Sequence, residues 1–359
     1  MKKQIFVPGR TELAGNHTDH QNGRTLTSAI HLGIFGTAET NGSGVIHIQS
    51  EGFKPFDVQL THLSVRTREF GTPKSLVRGM VASFKDLGLN VGGFDAKIRS
   101  TLPVGSGLSS SAAFSVLIGR MFSELFNNGE VDPLVIARAG QKSENRYFGK
   151  PCGLTSQLAC AIGQTIYADL KTGELETIKA SFAMMGLTLC LTNTGGSHAG
   201  LDTSYARIPA DMIYIANLFD KGVLADVDPK EFYSKGWDPS NRPVRRAMHF
   251  FAENERVPKM RDALKSGDGE TYMRLMNESG RSSEQLLTNI TTSASGDTKL
   301  EQGLELSARL LNGKGAWRVH GGGFAGCVQA LMPEDYFPEY RLEMEKVFGS
   351  GSCMEINLV

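Results

Sequence analysis

The chain predicts a mixed α and β protein of two domains, on three observations. Its 359 residues, 40% hydrophobic and 21% charged, supply apolar material for more than one medium-sized core. Stretches with strand character are interspersed with stretches of helical period, without repeats or low-complexity linkers. The pattern shifts near residue 180, which predicts a first domain over 1–182 and a second over 183–359, with the last strand returning to the first.

The elements follow in order. "QIFV" and "GVIHIQS" read as strands, the second by its alternation. "SLVRGMVASFKDLG" reads as an amphipathic helix closed by glycine, and "GFDAKIRS" as a half-buried strand. From Ser110 to Phe126 the run is apolar nearly all round, which predicts a helix buried inside its domain. Another helix follows, with Asp132 placed to cap it ahead of Pro133. "GLTLCLTNT" reads as a central strand, and residues 205–280 have helical period almost throughout. The end, through "GAWRVHGGGFAGCVQALMP", "YRLEMEKVFG" and "CMEINLV", reads strand, loop, strand, helix, strand.

Charge and cysteine usage narrow the function classes. Lysine plus arginine (38) balances aspartate plus glutamate (38), so no net field draws the chain to nucleic acid or an anionic membrane. Five cysteines without a CxxC pair fit free thiols of a cytoplasmic protein. "MKKQIFV" is too short in its apolar run for a signal peptide, and no later stretch approaches 18 apolar residues. A soluble, cytoplasmic protein is expected.

Three motifs carry chemistry. "LPVGSGLSSSAA" (102–113) lies between a strand and a buried helix, so Gly105 and Gly107 fall where the chain bends and exposes amides at a helix N-terminus. Such a terminus suits phosphate, and Ser109, Ser110 and Ser111 add hydroxyls, one of which can ligate magnesium. The lysine of a Walker loop is absent. An ordinary Gly/Ser turn capping a buried helix is the competing reading. "PGRTELAGNHTDHQNG" (8–23) concentrates Arg10, Glu12, Asn16, His17, Asp19 and His20, a density suited to a polyhydroxylated ligand. "VHGGGFAGC" (319–327) is another glycine-rich turn between strands.

Together, in this order, the motifs resemble the superfamily of galactokinase, homoserine kinase, mevalonate kinase and phosphomevalonate kinase, and are closest to galactokinase. Gly9 to His20 stands in place of the approximate signature GRxNLIGEHTDY, and Pro103 to Ala112 matches PxGxGLSSSA throughout. Gly321 to Cys327 matches a GxGFGGC-like loop with Ala325 at a glycine position. "NTGGSHAGLDTSYARIP" resembles the segment whose tyrosine touches the sugar, which gives that role to Tyr205. The resemblance implies a two-domain α+β small-molecule kinase fold with its active site between the domains. It also implies ATP, magnesium and phosphorylation of a sugar at its anomeric hydroxyl by a monomer or weak dimer.

Carried over residue by residue, the resemblance places the nucleotide on Pro103, Gly105, Ser106, Gly107, Leu108, Ser109, Ser110 and Ser111, and magnesium on Ser111 (or Ser110) and Glu144. Arg10 falls beside the transferred phosphate, and Asn16, His17, Asp19, Gly153 and Tyr205 on the sugar. Two carboxylates depart from the pattern. The base expected in GxMDQ is Ser156 in "CGLTSQ", and the sugar-contacting glutamate is Asn16. An unactivated serine hydroxyl stays protonated near pH 7, and a missing base costs about 10² to 10⁴ in rate. The expectation is a galactokinase-like sugar kinase, slow or altered; the alternative is a non-catalytic paralogue that binds sugar and ATP as a sensor.

Overall fold

The structure is a computed structural model and describes residues 2–103, 107–196, 200–291 and 296–359. The expected positions Gly105 and Ser106 lie outside the described residues. The chain forms two compact units: Met1–Thr11, Ala29–Val104 and Leu108–Gln164 in the first; Glu12–Ser28, Gly105–Gly107 and Thr165–Val359 in the second. Residues 12–28 and 165–182 thus group with the second unit.

The first unit contains β1 (Lys2–Ala14, through Thr11), β2 (Arg24–Thr40, from Ala29), β3 (Val45–Ser50), β4 (Phe56–Gln59), α1 (Pro73–Asp86), β5 (Phe94–Ser100), α2 (Ser110–Phe126), α3 (Pro133–Ser143) and α4 (Thr155–Ile162). Strands run in the order β4, β3, β5, β2, with β1 paired to β2; β3 and β5 are parallel and the other registered pairs antiparallel. Alternation along β5 puts Phe94, Ala96 and Ile98 into the core, where Phe94 and Phe84 pack on Phe122 of α2 with ring centroids 5.6 and 5.2 Å away. Helix α2 spans Ser110–Phe126 as its apolar run predicts, and α1, α3 and α4 all pack against it. Asp132 caps α3 by accepting from the Leu134 amide.

Sequence and structure differ at β1. The expected strand stops near Val7, but the observed one continues through Pro8 and Gly9 to Ala14. Glycine in a strand often marks a close approach, and a Cβ at Gly9 would lie 2.5 Å from Leu102 Cδ2. Arg10 and Glu12 consequently sit on a strand.

The second unit adds β6 (Thr165–Asp169), β7 (Glu174–Ile178), β8 (Leu187–Asn193), α5 (Asp202–Asn217), α6 (Pro229–Ser234), α7 (Arg242–Ser266), α8 (Gly269–Ser282), α9 (Lys299–Leu311), β9 (Ala316–His320), β10 (Cys327–Pro333), α10 (Phe337–Phe348) and β11 (Cys353–Glu355). Arg24–Ser28 pairs with β6, which pairs with β7. A separate antiparallel sheet has the order β11, β8, β10, β9. Strand β11 pairs with β8, so the last strand stays within the second unit instead of returning to the first. Two apolar clusters flank this unit's framework, one on α5 and α7 around Phe250 and Met212, the other on β8, β10 and α10 around Tyr340 and Met344.

Candidate functional site

The sequence-predicted residues gather into two side-chain clusters, one in each unit. In the first, Ser109 has left-handed backbone (φ 59) and turns the chain into α2, and its own side chain does not cap the first amides of that helix. Ser109 donates to Ser156 Oγ at 3.3 Å, and Arg10 Nε donates to the same oxygen at 2.9 Å. Ser111, the second residue of α2, donates to Glu144 Oε1 at 2.7 Å, while Gln157 Nε2 donates to Oε2 at 2.7 Å. Glu144 opens a π-helical turn, Glu144–Phe148, that continues α3; such turns recur at functional sites because they re-aim a side chain. Here the turn holds Glu144 buried at 2% exposure. The ammonium of exposed Lys150 lies 3.9 Å from Glu144 Oε1. The buried atoms Thr155 Oγ1 and Gln157 Oε1 have no hydrogen-bond partner among the described residues.

Other predicted residues of this group are placed nearby in the chain. Leu108 is buried and its carbonyl accepts from the Arg10 amide at 3.3 Å. Ser110 is exposed at the helix start, and Pro103 and Gly153 are half-buried. Chemically the cluster offers a guanidinium, donor hydroxyls, a helix N-terminus and a hydroxyl–carboxylate pair of hard oxygens.

The second cluster is built on the turn after β1. Asn16 is 1% exposed and every hydrogen-bonding position of its side chain is occupied by protein. Its Nδ2 donates to Glu12 Oε1 (3.1 Å) and to the Gly321 carbonyl (2.7 Å); its Oδ1 accepts from Ser283 Oγ (3.2 Å) and Asn289 Nδ2 (3.1 Å). His249 Nε2 donates to the Asn16 carbonyl at 2.9 Å, so its Nδ1 accepts from Ser282. Beneath the turn, buried Glu253 accepts from the amides of Gly15 and Asn16 and from Ser279, and pairs with Arg256. Burial would raise the Glu253 carboxyl, but Arg256, His249, Arg318 and Ser279 hold it down to about 2.

Glu12 is held from several sides. Its amide donates to His320 Nε2 at 3.2 Å, its carbonyl accepts from Arg318 and Gln329 at 2.8 Å each, and buried Arg318 lies 3.5 Å from its carboxylate. Gly107 groups with this unit: at φ +70 it lies against the same His320, where a Cβ would stand 3.2 Å from Nδ1. His17 Nε2 must donate to the Gly322 carbonyl (3.1 Å), so its Nδ1 accepts from His20 Nε2 (3.1 Å). Burial holds the His17 imidazole down to about 4, and burial followed by the charge on His17 holds His20 well below its ordinary value. Asp19 accepts from the His20 amide at 2.9 Å, and Tyr205, on α5, donates to the Gly323 carbonyl at 2.6 Å beside Gly322.

The structure therefore brings Arg10, Ser109, Ser111, Glu144 and Ser156 together in one cluster and Asn16, His17, Asp19 and Tyr205 in another. It also shows what sequence reading missed: Glu253, His249, Ser283, Asn289, Arg318 and Gln157. One signal was available. Arg246, His249 and Glu253 recur at helical spacing on α7 as a buried polar stripe among phenylalanines, an arrangement that a solvated helix face does not require.

Comparison with known proteins fits this construction. Residues 75–164 match the GHMP kinases N terminal domain, and residues 3–39 match the galactokinase galactose-binding signature. Lactococcus lactis galactokinase complexed with galactose superposes with a TM-score of 0.88 at 24% identity, covering 99% of this chain and 93% of that one. Methanococcus jannaschii mevalonate kinase superposes at 0.70 with 18% identity, covering 100% and 99%. Fold and matched domain define the class, a two-domain GHMP-type kinase. Galactokinase of Ligilactobacillus salivarius is 30% identical over 357 residues, 96% of this chain and 89% of that protein; galactokinase of Streptococcus mutans is 29% identical over 343 residues, 92% and 85%. The chain belongs to the galactokinase family. Among the described residues no helix is long and apolar enough to cross a membrane.

Proposed function

We propose that this protein is an ATP-dependent sugar kinase that transfers the γ-phosphoryl group to the anomeric hydroxyl of galactose or a related sugar, slowly, because Ser156 stands where the family pattern has its aspartate. One observation carries the reading. Around the N-terminus of α2, Arg10 and Ser109 both donate to Ser156, at 2.9 and 3.3 Å, and Ser111 donates to Glu144 at 2.7 Å. Phosphoryl transfer asks mainly for positioning and for positive charge around a loose transition state, and a guanidinium with a helix N-terminus supplies both. Ser111 and Glu144 would hold Mg²⁺. Their donor set fits it, since magnesium takes hard oxygens from one or two side chains and completes its shell with phosphate and water. When bound, the ion neutralises phosphate charge. Among the described residues no group of three His, Cys, Asp or Glu competes as a metal site.

On the sugar side, Asn16 and both nitrogens of His17 are engaged by protein, so their work is to shape the turn. Glu12, Asp19 and Tyr205 are half-buried groups of the same cluster and are the better candidates to meet sugar hydroxyls. Gly153, in the chain just ahead of Ser156, keeps its assignment beside the sugar.

The test is an ADP-release screen across sugars with direct binding of the same panel. ADP formation with one sugar, at a rate well below that of an enzyme with its base, supports the reading. Sugar binding without ADP production would instead establish a sensor that binds both ligands, and loss of nucleotide binding would end the kinase reading altogether.

A further inference from the structure

Hydrogen-bond direction at Ser156 assigns it a role that sequence does not. Arg10 Nε has only a proton to give, so Ser156 Oγ accepts from it at 2.9 Å. The geometry at Ser109 also makes that hydroxyl the donor, at 3.3 Å. Both lone-pair positions of Ser156 are thus directed at donors, and its own proton is left to point elsewhere. A hydroxyl held in this way cannot take a proton; it can only give a hydrogen bond. Ser156 lies in the first turn of α4 beside buried Gln157, which grips Glu144.

We infer that Ser156 is a hydrogen-bond donor to a non-bridging oxygen of the transferring phosphoryl group and does not act as the general base. This rests on the kinase reading above. The sugar O–P bond forms as the P–O bond to the ADP oxygen breaks. The sugar hydroxyl proton passes to an oxygen of the transferred phosphoryl group and from the product to water. Ser156 keeps its proton throughout, and Arg10, polarising the serine oxygen, makes it a stronger donor.

The experiment compares wild type, Ser156→Ala and Ser156→Thr in three readouts: affinity for Mg-ATP, affinity for Mg-ADP, and kcat with the best sugar. A donor to the terminal phosphoryl group predicts that Ser156→Ala weakens ATP about tenfold and leaves ADP within twofold, with kcat down roughly ten- to a hundredfold. Ser156→Thr, which restores a hydroxyl, should recover most of the ATP preference. Equal loss of ATP and ADP affinity would mean a merely structural serine, and unchanged ATP affinity with unchanged kcat would remove the contact; either overturns the inference while the kinase reading stands. If Ser156→Ala shows the selective ATP loss but no sugar yields ADP in the wild type, the donor assignment holds and the kinase reading fails.

Discussion

The Asn16 side chain has every hydrogen-bonding position filled by protein, with one buried oxygen of its neighbour Asn289 lacking a described partner, whereas around Ser156 and Glu144 more capacity is left over. Four protein groups fill the Asn16 side chain, Glu253 collects three donors and an arginine, and His17 is bonded at both nitrogens. In the other cluster Ser110 is exposed, the Ser109 side chain does not cap α2, and Thr155 and Gln157 each keep a buried oxygen without a described partner. A closed network confers shape and stability. An open one leaves donors and acceptors for a ligand, at some expense in stability of the unliganded protein. One motif can therefore be conformational and another chemical even when both look equally polar in sequence.

The largest effect is expected where the closed network is deepest. Glu253→Ala leaves the amides of Gly15 and Asn16 without this buried partner and Arg256 with only Glu278, 3.8 Å away, so unfolding free energy should fall by about 3–5 kcal/mol in urea titration. A loss below about 1 kcal/mol would show that the network is dispensable and undo the contrast. Asn16→Ala comes next, at about 2–4 kcal/mol, since it takes a partner from four groups, of which Ser283 and Asn289 are buried.

How much of this was readable beforehand follows the same division. Helix α2 and strand β5 appear with their predicted limits because each carries its own periodic pattern, and Ser111 and Glu144 come together as expected. Strand β1 was read short because Pro8 and Gly9 look like breakers, while the reason for Gly9 is packing against Leu102, distant in sequence. The roles of Asn16 and Glu12 were not legible at all. Their partners lie at Glu253, Ser283, Asn289, Arg318 and Gly321, more than two hundred residues away, and local pattern carries no information on such pairings.

A pH titration sharpens the contrast further. With its folded value at about 4, below the ordinary 6.5, His17 binds fewer protons in the native state than in the unfolded chain throughout that interval. His20 is depressed in the same direction. Stability is therefore complete above about pH 6.5 and is lost as pH falls toward 4, by on the order of 2 kcal/mol after allowance for partial exposure. Replacing His17 with glutamine should flatten this limb; a limb of equal height in the variant would place its origin elsewhere.

The smallest stability effect is expected at the open cluster, and it is also the most discriminating. Ser111→Ala removes one hydrogen bond of 2.7 Å from a carboxylate that Gln157 still holds, so the unliganded protein should lose only about 0.5–1.5 kcal/mol. Its response to nucleotide should change more. If Ser111 is part of the Mg-ATP site, a tenfold weaker Kd reduces the protection given by saturating nucleotide by about 1.4 kcal/mol, seen as a smaller rise in Tm. Asn16→Ala predicts the reverse: a large drop in Tm without ligand and a nucleotide-induced rise close to that of the wild type. Measuring both variants with and without Mg-ATP separates the shape-giving cluster from the ligand-facing one. Equal loss of protection in the two would show that the turn at Asn16 serves the nucleotide as directly as Ser111 does.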